Sequence, residues 1–160
     1  LQAGVPVLVG TTGISEEDLE KLSLLSKKTG APVLVAPNFA IGALLMMDFA
    51  KKAAKYMPHA EIIELHHPQK LDKPSGTAIR TRELMLKSLG IHGEDHQEAI
   101  PIHSVRLPGL TAHQEVIFGD IGQTLTIRHD SFHRESFAPG ILLGLKQLIS
   151  TKGLKLGLDL

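Results

Sequence analysis

Hydrophobic and polar positions near the start of the chain predict a strand, a helix and a second strand. Residues 5–9 and residues 31–36 are short apolar runs rich in Val, and leucines recur at helical spacing between them. Ser15, followed by three acidic residues, predicts the start of the helix, and Gly30 predicts its end. Two apolar strands joined by a helix predict a parallel βαβ unit with a right-handed crossover.

The pattern becomes richer in strands after this unit. Periodicity predicts helices over residues 41–56, 75–89 and 137–149, and strands over residues 60–67, 100–107, 113–118 and 123–129. Residues 119–122 predict a hairpin turn, and residues 90–98 predict a loop because they carry few apolar side chains. Residues 154–160 form a short apolar tail. The predicted fold class is therefore α/β followed by an α+β domain with a mixed or antiparallel sheet.

The composition narrows the class of protein. Among 160 residues, 17 Lys and Arg balance 17 Asp and Glu, so the chain lacks the basic excess that a nucleic-acid-binding surface needs. The apolar runs are too short to cross a bilayer and no secretory leader is visible, so we expect no membrane partner. The chain contains no Cys, which excludes disulfides and thiolate catalysis and fits a cytoplasmic protein.

Most of the candidate chemistry lies between one predicted strand and the helix that follows it. His66 and His67 are side chains that titrate near neutral pH when they are unperturbed. Lys70 is a cation that can hold a carboxylate. The helix that opens at Ser75 presents backbone N–H groups and a dipole that favour an anion. Together these features predict a pocket for a small polyanion with a proton donor beside it.

Simpler interpretations of the same residues remain open. A pair of His residues at a strand end is more often structural, and Ser75 can be no more than an N-cap. Adjacent side chains of a regular strand point to opposite faces, so His66 and His67 can share a ligand only where the chain bends. Pro68 makes such a bend plausible, because it restricts the residue before it.

Two further motifs carry weak signals. His92 and His96 have i, i+4 spacing, but the glycines around them disfavour a helix and no third ligand is set by spacing. We therefore predict no metal site. Ser75, His66 and Asp72 do not form a convincing catalytic triad, because no nucleophile-elbow pattern surrounds the Ser.

The turns that follow the first two predicted strands are candidates for ligand binding. Gly10-Thr11-Thr12-Gly13 follows the first strand, and Ala36-Pro37-Asn38-Phe39 follows the second. Ligands of open α/β sheets bind beyond the carboxyl ends of the strands, where such turns lie. Each turn alone is weak support, since the chain lacks the Gly-x-Gly-x-x-Gly fingerprint of dinucleotide binding.

One segment carries a specific resemblance. His66-His67-x-x-Lys70-x-Asp72-x-Pro74-Ser75-Gly76-Thr77-Ala78 resembles the signature of the bacterial 4-hydroxy-tetrahydrodipicolinate reductases, also called dihydrodipicolinate reductases. Similarity in the family's order continues over residues 10–13, 36–42, 104–109 and 128–138, and so covers essentially the whole chain. Lys73 stands where the family usually has Ala.

The resemblance implies an NAD(P)H-dependent reduction in lysine and diaminopimelate biosynthesis. In the family, a hydride from NADH or NADPH reduces the cyclic dicarboxylate substrate at C4, and a protein group supplies a proton. The residues that match the family's site fall into three sets. His66 and Lys70 would be catalytic, His67, Gly76 and Thr77 would bind substrate, and Gly10, Thr11, Thr12, Ala36, Pro37, Asn38 and Phe39 would line the nicotinamide.

The resemblance also implies a domain plan. Residues 1–38 would end a Rossmann-like dinucleotide-binding domain, residues 39–133 would form a substrate-binding and oligomerisation domain with a mixed, largely antiparallel sheet, and residues 134–160 would return to the nucleotide domain. The family's N-terminal half, with its glycine fingerprint, is not in this sequence, so we expect a fragment that retains the substrate site and forms a homotetramer. The alternatives are a non-catalytic oligomerising fragment and another two-domain oxidoreductase, such as an aspartate- or sugar-linked dehydrogenase.

Overall fold

The computed structural model of the chain describes residues 1–11, 14–92 and 96–160. The elements are, in chain order, β1 (Val7–Val9), α1 (Glu16–Thr29), β2 (Val33–Val35), α2 (Ile41–Ala54), β3 (His59–His66), α3 (Gly76–Leu89), α4 (His96–Ala99), β4 (Ile102–Arg106), β5 (Ala112–Asp120), β6 (Gln123–Ser131), a 3-10 turn (Arg134–Phe137), α5 (Ala138–Ser150) and β7 (Leu154–Leu156). They form two compact units, Leu1–Ile41 with Arg134–Leu160 and Gly42–His133.

The first unit is built on a parallel sheet with the strand order β1-β2-β7. Helix α1 connects β1 to β2, and its ends have clear local causes. The Ser15 hydroxyl accepts the N–H of Asp18 at 3.1 Å, which satisfies one of the unpaired donors of the first turn. Gly30 ends the helix in the left-handed conformation, with a φ of 73°, which glycine adopts without steric cost.

Helix α5 packs closely on the segment that follows β2. Leu148 of this helix is buried against Leu34 and Ala36, and Phe39 packs on the same cluster. At Gly140 the approach is so close that a Cβ atom would lie 1.9 Å from the carbonyl oxygen of Phe39. Glycine is therefore required at this point of the helix, even though it lowers helix propensity.

The second unit is built on a mixed sheet with the strand order β4-β3-β5-β6. Strands β3 and β4 are parallel, and the other neighbours are antiparallel. Because side chains alternate along a strand, Ile62, Val116 and Phe118 share one face, where they pack with residues of α2 and α3 into the core of the unit. Strands β5 and β6 are joined by Ile121 and Gly122, and Gly122 has a φ of 74°.

The predicted fold class is confirmed: a parallel βαβ arrangement is followed by helices and a mixed, largely antiparallel sheet. The prediction of a loop over residues 90–98 is partly wrong, because α4 begins at His96. The apolar tail contains a strand, β7, that pairs with β2. The assignment of a nucleotide-binding role to one unit and a substrate-binding role to the other stays a prediction.

Candidate functional site

The candidate substrate site is formed around the end of β3 and the start of α3. The Ser75 side chain is buried and caps α3, and its hydroxyl accepts the N–H of Ala78 at 3.2 Å. Gly76 and Thr77 then begin the helix. The backbone N–H groups of a first helical turn have no partner within the helix and lie at its positive dipole end. This end of α3 is thus electrostatically suited to a carboxylate.

The segment between β3 and α3 holds the candidate cation. The Lys70 ammonium lies 2.8 Å from a carboxylate oxygen of Asp72. The hydrogen bond from Lys70 is the main cause of a lowered pKa for Asp72, and the N–H of Gly76 contributes as well. The Asp72 carboxylate therefore lies between the Lys70 cation and the start of α3, at the place where the sequence predicts an anion.

His66 and His67 have different environments. The side chain of His66 is only 13% exposed, and its Nδ1 contacts the carboxylate of Glu64. His67 is exposed, and its Nδ1 lies 3.1 Å from the side-chain oxygen of Gln69. His66 is the last residue of β3, so its side chain falls on the same face as Glu64 and Ile62, whereas His67 lies beyond the end of the strand. Of the two, only His66 is held in place by a charged partner among the described residues.

Glu64 and Arg106 form a buried ion pair that the sequence did not single out. Glu64 is fully buried, and each of its two carboxylate oxygens accepts a hydrogen bond of 2.8 Å from the Arg106 guanidinium. Arg106 lies beside His66 in the parallel β3–β4 register. The guanidinium also donates to the carbonyl of Lys70 at 3.3 Å and to the carbonyl of Asp72 at 2.7 Å. A single side chain therefore connects the partner of His66 to the segment that carries Lys70.

The charges in this cluster set the protonation states. Burial alone would raise the pKa of Glu64, but hydrogen bonds from Arg106, Ser104 and His66 outweigh it and hold the pKa below its usual range. Burial lowers the pKa of His66, and the opposing effect of Glu64 is not large enough to reverse the shift. At neutral pH, Glu64 is therefore ionised and His66 is mostly neutral.

The alternation of side chains along β3 is the sequence signal that could have indicated the buried position of Glu64. Ile62, Glu64 and His66 occupy one face of β3, and Ile62 belongs to the core of the unit. A carboxylate in line with a core isoleucine predicts a buried charge, and a buried charge requires a partner. Sequence alone does not indicate which of several basic residues supplies it, because β4 is far from β3 along the chain.

A second buried polar position lies one strand further along the same row. Gln114 pairs with Glu64 on one side and with His129 on the other. The Gln114 amide donates to the hydroxyl of Thr81 at 2.8 Å, and its oxygen has no partner among the described residues. Burial lowers the pKa of His129, whose ring lies so close to Gly42 that a Cβ there would be 2.5 Å from Cδ2. The helix-covered face of the sheet thus changes from apolar to polar toward the end that holds His66.

The predicted nicotinamide-lining residues belong to the first unit. Gly10 and Thr11 follow β1, and residues 36–39 follow β2, at the shared carboxyl edge of two parallel strands. The N–H of Ala36 donates to the carbonyl of Val9 at 2.8 Å, which draws the two turns together. A Cβ on Gly10 would lie 2.5 Å from the ring of Phe39, so only glycine permits this approach. Thr12, also predicted here, lies outside the described residues.

The fit of these turns to a nicotinamide differs between positions. Pro37 is exposed, Asn38 and Phe39 are partly buried, and Ala36 is fully buried, so its side chain faces the core. A glycine against an aromatic ring at the carboxyl edge of a parallel sheet leaves exposed backbone and a flat apolar surface, which suits a planar amide-bearing ring.

The predicted absence of a metal site and of a membrane-spanning helix can be compared with the structure only over the described residues. Within residues 1–11, 14–92 and 96–160, no group of three or more His, Asp or Glu side chains is placed to hold a metal ion. Of the His92–His96 motif, residues 93–95 lie outside the described residues. No described helix combines the length and the apolar character needed to cross a membrane.

Comparison with known proteins points to one family. The family model for the C-terminus of dihydrodipicolinate reductase matches residues 42–159, and the model for its N-terminus matches residues 1–39. The 4-hydroxy-tetrahydrodipicolinate reductase of Dehalococcoides mccartyi is 48% identical over 97% of this chain and 64% of its own length. That of Mycolicibacterium smegmatis is 51% identical over 98% of this chain and 70% of its own length.

A solved structure has the same fold. Dipicolinate-bound dihydrodipicolinate reductase from Paenisporosarcina sp. TG-14 superimposes with a TM-score of 0.80 at 45% identity, covering 96% of this chain and 63% of that one. The present chain therefore spans somewhat less than two thirds of the length of several of the proteins that it matches, including the reductase of Moorella thermoacetica at 64%.

Proposed function

Because the chain belongs to the dihydrodipicolinate reductase family, we propose that it serves the NAD(P)H-dependent reduction of 4-hydroxy-tetrahydrodipicolinate to tetrahydrodipicolinate, a step of lysine and diaminopimelate biosynthesis. The relatives described above are named as reductases of this compound. One observation on this chain supports the proposal most strongly. A continuous set of hydrogen bonds and ion pairs links His66, Glu64, Arg106, Asp72 and Lys70 beside the start of α3.

The substrate side of the proposal rests on charge. A cyclic dicarboxylate presents two anionic groups, and this site offers an ammonium at Lys70 and the N-terminus of α3 at Gly76 and Thr77. His67 is exposed next to this segment and is the third proposed substrate contact. The related enzyme from Paenisporosarcina was solved with dipicolinate, a planar dicarboxylate, bound to it.

The proton chemistry is assigned to His66 and Lys70. With Glu64 ionised, the Nδ1–H of His66 donates to that carboxylate, so Nε2 is the atom that can exchange a proton with substrate. Lys70 is a proton donor and also holds a substrate carboxylate. The bound dinucleotide, NADH or NADPH, supplies the hydride. Gly10, Thr11 and residues 36–39 are the proposed nicotinamide contacts, and Thr12 completes that set in the sequence.

We further propose that the functional form is a cytoplasmic homotetramer that assembles through the sheet of the second unit. The face of this sheet opposite to Ile62 and Phe118 carries Ile63, Leu65 and Ile117, which stay partly exposed. Partly exposed apolar side chains on an open sheet face favour association with a second copy. Sedimentation velocity measures the assembly directly.

The experiment that tests the proposed function measures dicarboxylate binding and turnover on the same chain. Calorimetry with pyridine-2,6-dicarboxylate should show binding that Lys70→Ala abolishes, and oxidation of NADH or NADPH should depend on substrate and collapse in His66→Gln. His103→Gln is the matched control, since His103 is an exposed His whose partner is Glu61. A chain that fails to bind the dicarboxylate would overturn the proposal. Binding and tetramer formation without turnover would instead support the non-catalytic oligomerising fragment.

A further inference from the structure

We propose that Glu64 and Arg106 are positioning residues of the reductase site: Glu64 fixes which nitrogen of His66 faces the substrate, and Arg106 fixes both Glu64 and the Lys70 segment. This inference rests on the proposed function, because it concerns how the proposed catalytic residues are held. Both side chains are almost completely buried, Arg106 at 6% exposure and Glu64 at 0%. Neither is placed to be the proton donor itself.

The burial of this pair indicates a role other than stability. Removing two charges from water is costly, and a buried ion pair often contributes less to stability than apolar residues of the same volume. Here several bonds of the pair are directed at the candidate site. Both carboxylate oxygens of Glu64 are bound by Arg106, and one of them also contacts His66.

The orientation of His66 follows from the charge of its partner. An ionised carboxylate can only accept a hydrogen bond, so the nitrogen that contacts it must carry a proton. Nδ1 of His66 is that nitrogen. In the neutral ring Nε2 is then the basic atom, on the side of the ring away from Glu64. The lowered pKa of His66 agrees with a ring that is neutral before substrate binds.

Arg106 acts on two parts of the site through the shape of its guanidinium. Its planar fork binds Glu64 through Nη1 and Nη2, and Nη2 and Nε also reach the carbonyls of Asp72 and Lys70. A Lys at this position has one compact ammonium and cannot bind both oxygens of a carboxylate and two separate carbonyls in this geometry. The arginine thus ties the orientation of His66 to the position of the Lys70 segment.

The two positions should respond differently to conservative substitution. Glu64→Gln keeps the side-chain volume and leaves the Arg106 bonds to the loop carbonyls, so it should lower kcat by about 100-fold at pH 7 with little change in KM. Arg106→Lys loosens the Lys70 segment as well, so it should also weaken pyridine-2,6-dicarboxylate binding by about 10-fold. Glu83→Gln is the matched control, because it removes a carboxylate that accepts a hydrogen bond from another arginine, Arg80, at the exposed surface of α3.

Nuclear magnetic resonance of the imidazole nitrogens tests the inference without relying on turnover. In the unmodified chain, His66, assigned through the loss of its signals in His66→Gln, should carry its proton on Nδ1. Glu64→Gln should lower the pKa of His66, because a neighbouring negative charge is lost, and Glu83→Gln should leave it unchanged. A proton on Nε2 in the unmodified chain, or an unchanged His66 pKa in folded Glu64→Gln, would overturn the inference. Failure of the proposed function would look different: the chain would not bind the dicarboxylate, while His66 would still carry its proton on Nδ1 and respond to Glu64→Gln.

Discussion

Replacing Gly140 with Ala should force α5 away from the segment that follows β2. The added Cβ would lie 1.9 Å from the carbonyl oxygen of Phe39, whereas a carbon and an oxygen in contact are normally about 3.3 Å apart. The difference between these distances, about 1.4 Å, is the displacement that the packing must absorb. The Cβ is fixed by the backbone of α5 and the oxygen belongs to the backbone of Phe39, so no change of side-chain rotamer relieves the contact.

The size of the effect follows from two opposing contributions. Overpacking of a core costs about 1–3 kcal/mol, and a contact between two backbone segments belongs at the upper end of that range. Ala gains about 1 kcal/mol over Gly from helix propensity. The free energy of unfolding should therefore fall by about 2 kcal/mol in Gly140→Ala.

Gly144→Ala in the same helix is the matched control. Its Cβ would meet the Cδ atoms of Leu8 and Leu158 at 3.2 Å. These atoms end flexible side chains and can move by a few tenths of an ångström. The helix-propensity gain should then offset the contact, leaving a change in stability of less than about 1 kcal/mol.

Thermal unfolding followed by circular dichroism measures both variants. A loss of about 2 kcal/mol corresponds to a decrease in Tm of about 4–8 °C for a chain of this size. Hydrogen exchange of the peptides that contain Phe39 and α5 should show where the structure has loosened. Equal Tm values for Gly140→Ala and Gly144→Ala would refute the reasoning, since they would mean that the contact with the Phe39 carbonyl imposes no constraint.

Two other predictions concern the charges of the second unit. Asp72→Asn should tighten pyridine-2,6-dicarboxylate binding by about 2- to 5-fold at low salt, because the Asp72 carboxylate competes with the ligand for the Lys70 ammonium. Calorimetry measures this affinity. Weaker binding would mean that Asp72 orients Lys70 instead. Stability to urea should fall as the pH decreases from 7 to 5. His66 and His129 have lowered pKa values in the folded state, whereas a His of the unfolded chain has a pKa of about 6.5. Below that pH the unfolded chain therefore binds more protons than the folded chain, which favours unfolding. His129→Gln should make this pH dependence shallower. An unchanged slope of the urea midpoint against pH would contradict the contribution of His129 to it.

Local signals in the sequence predict much of the fold. The beginning of α1 after Ser15, its end at Gly30 and the beginning of α3 after Ser75 are each indicated by a single residue, and all three residues act as caps in the structure. These signals are readable because a cap depends on residues within one helical turn. The hairpin between β5 and β6 is predictable for the same reason, since its turn contains a glycine with positive φ.

Features that depend on distant residues are not predictable in this way. Strand β7 is only three residues long and carries a Lys between two leucines, and it is a strand because β2 offers it a partner. The pair formed by Glu64 and Arg106 joins two strands that are separated along the chain by α3 and α4. The burial of Glu64 is visible in the alternation of β3, but the identity of its partner is set by the register of β3 and β4.

The strand order of the first unit has a consequence for the synthesis of the protein on the ribosome. Its central strand, β2, ends at Val35, and its neighbour β7 begins at Leu154, after the whole of Gly42–His133 has been made. The parallel sheet therefore cannot be completed until β7 has been made, and by then the second unit is already entire. Once the second unit has folded, it replaces a long flexible loop with an ordered one, which lowers the entropy cost of bringing β7 to β2. The first unit is thus completed after the second, although β1 and β2 are made before it.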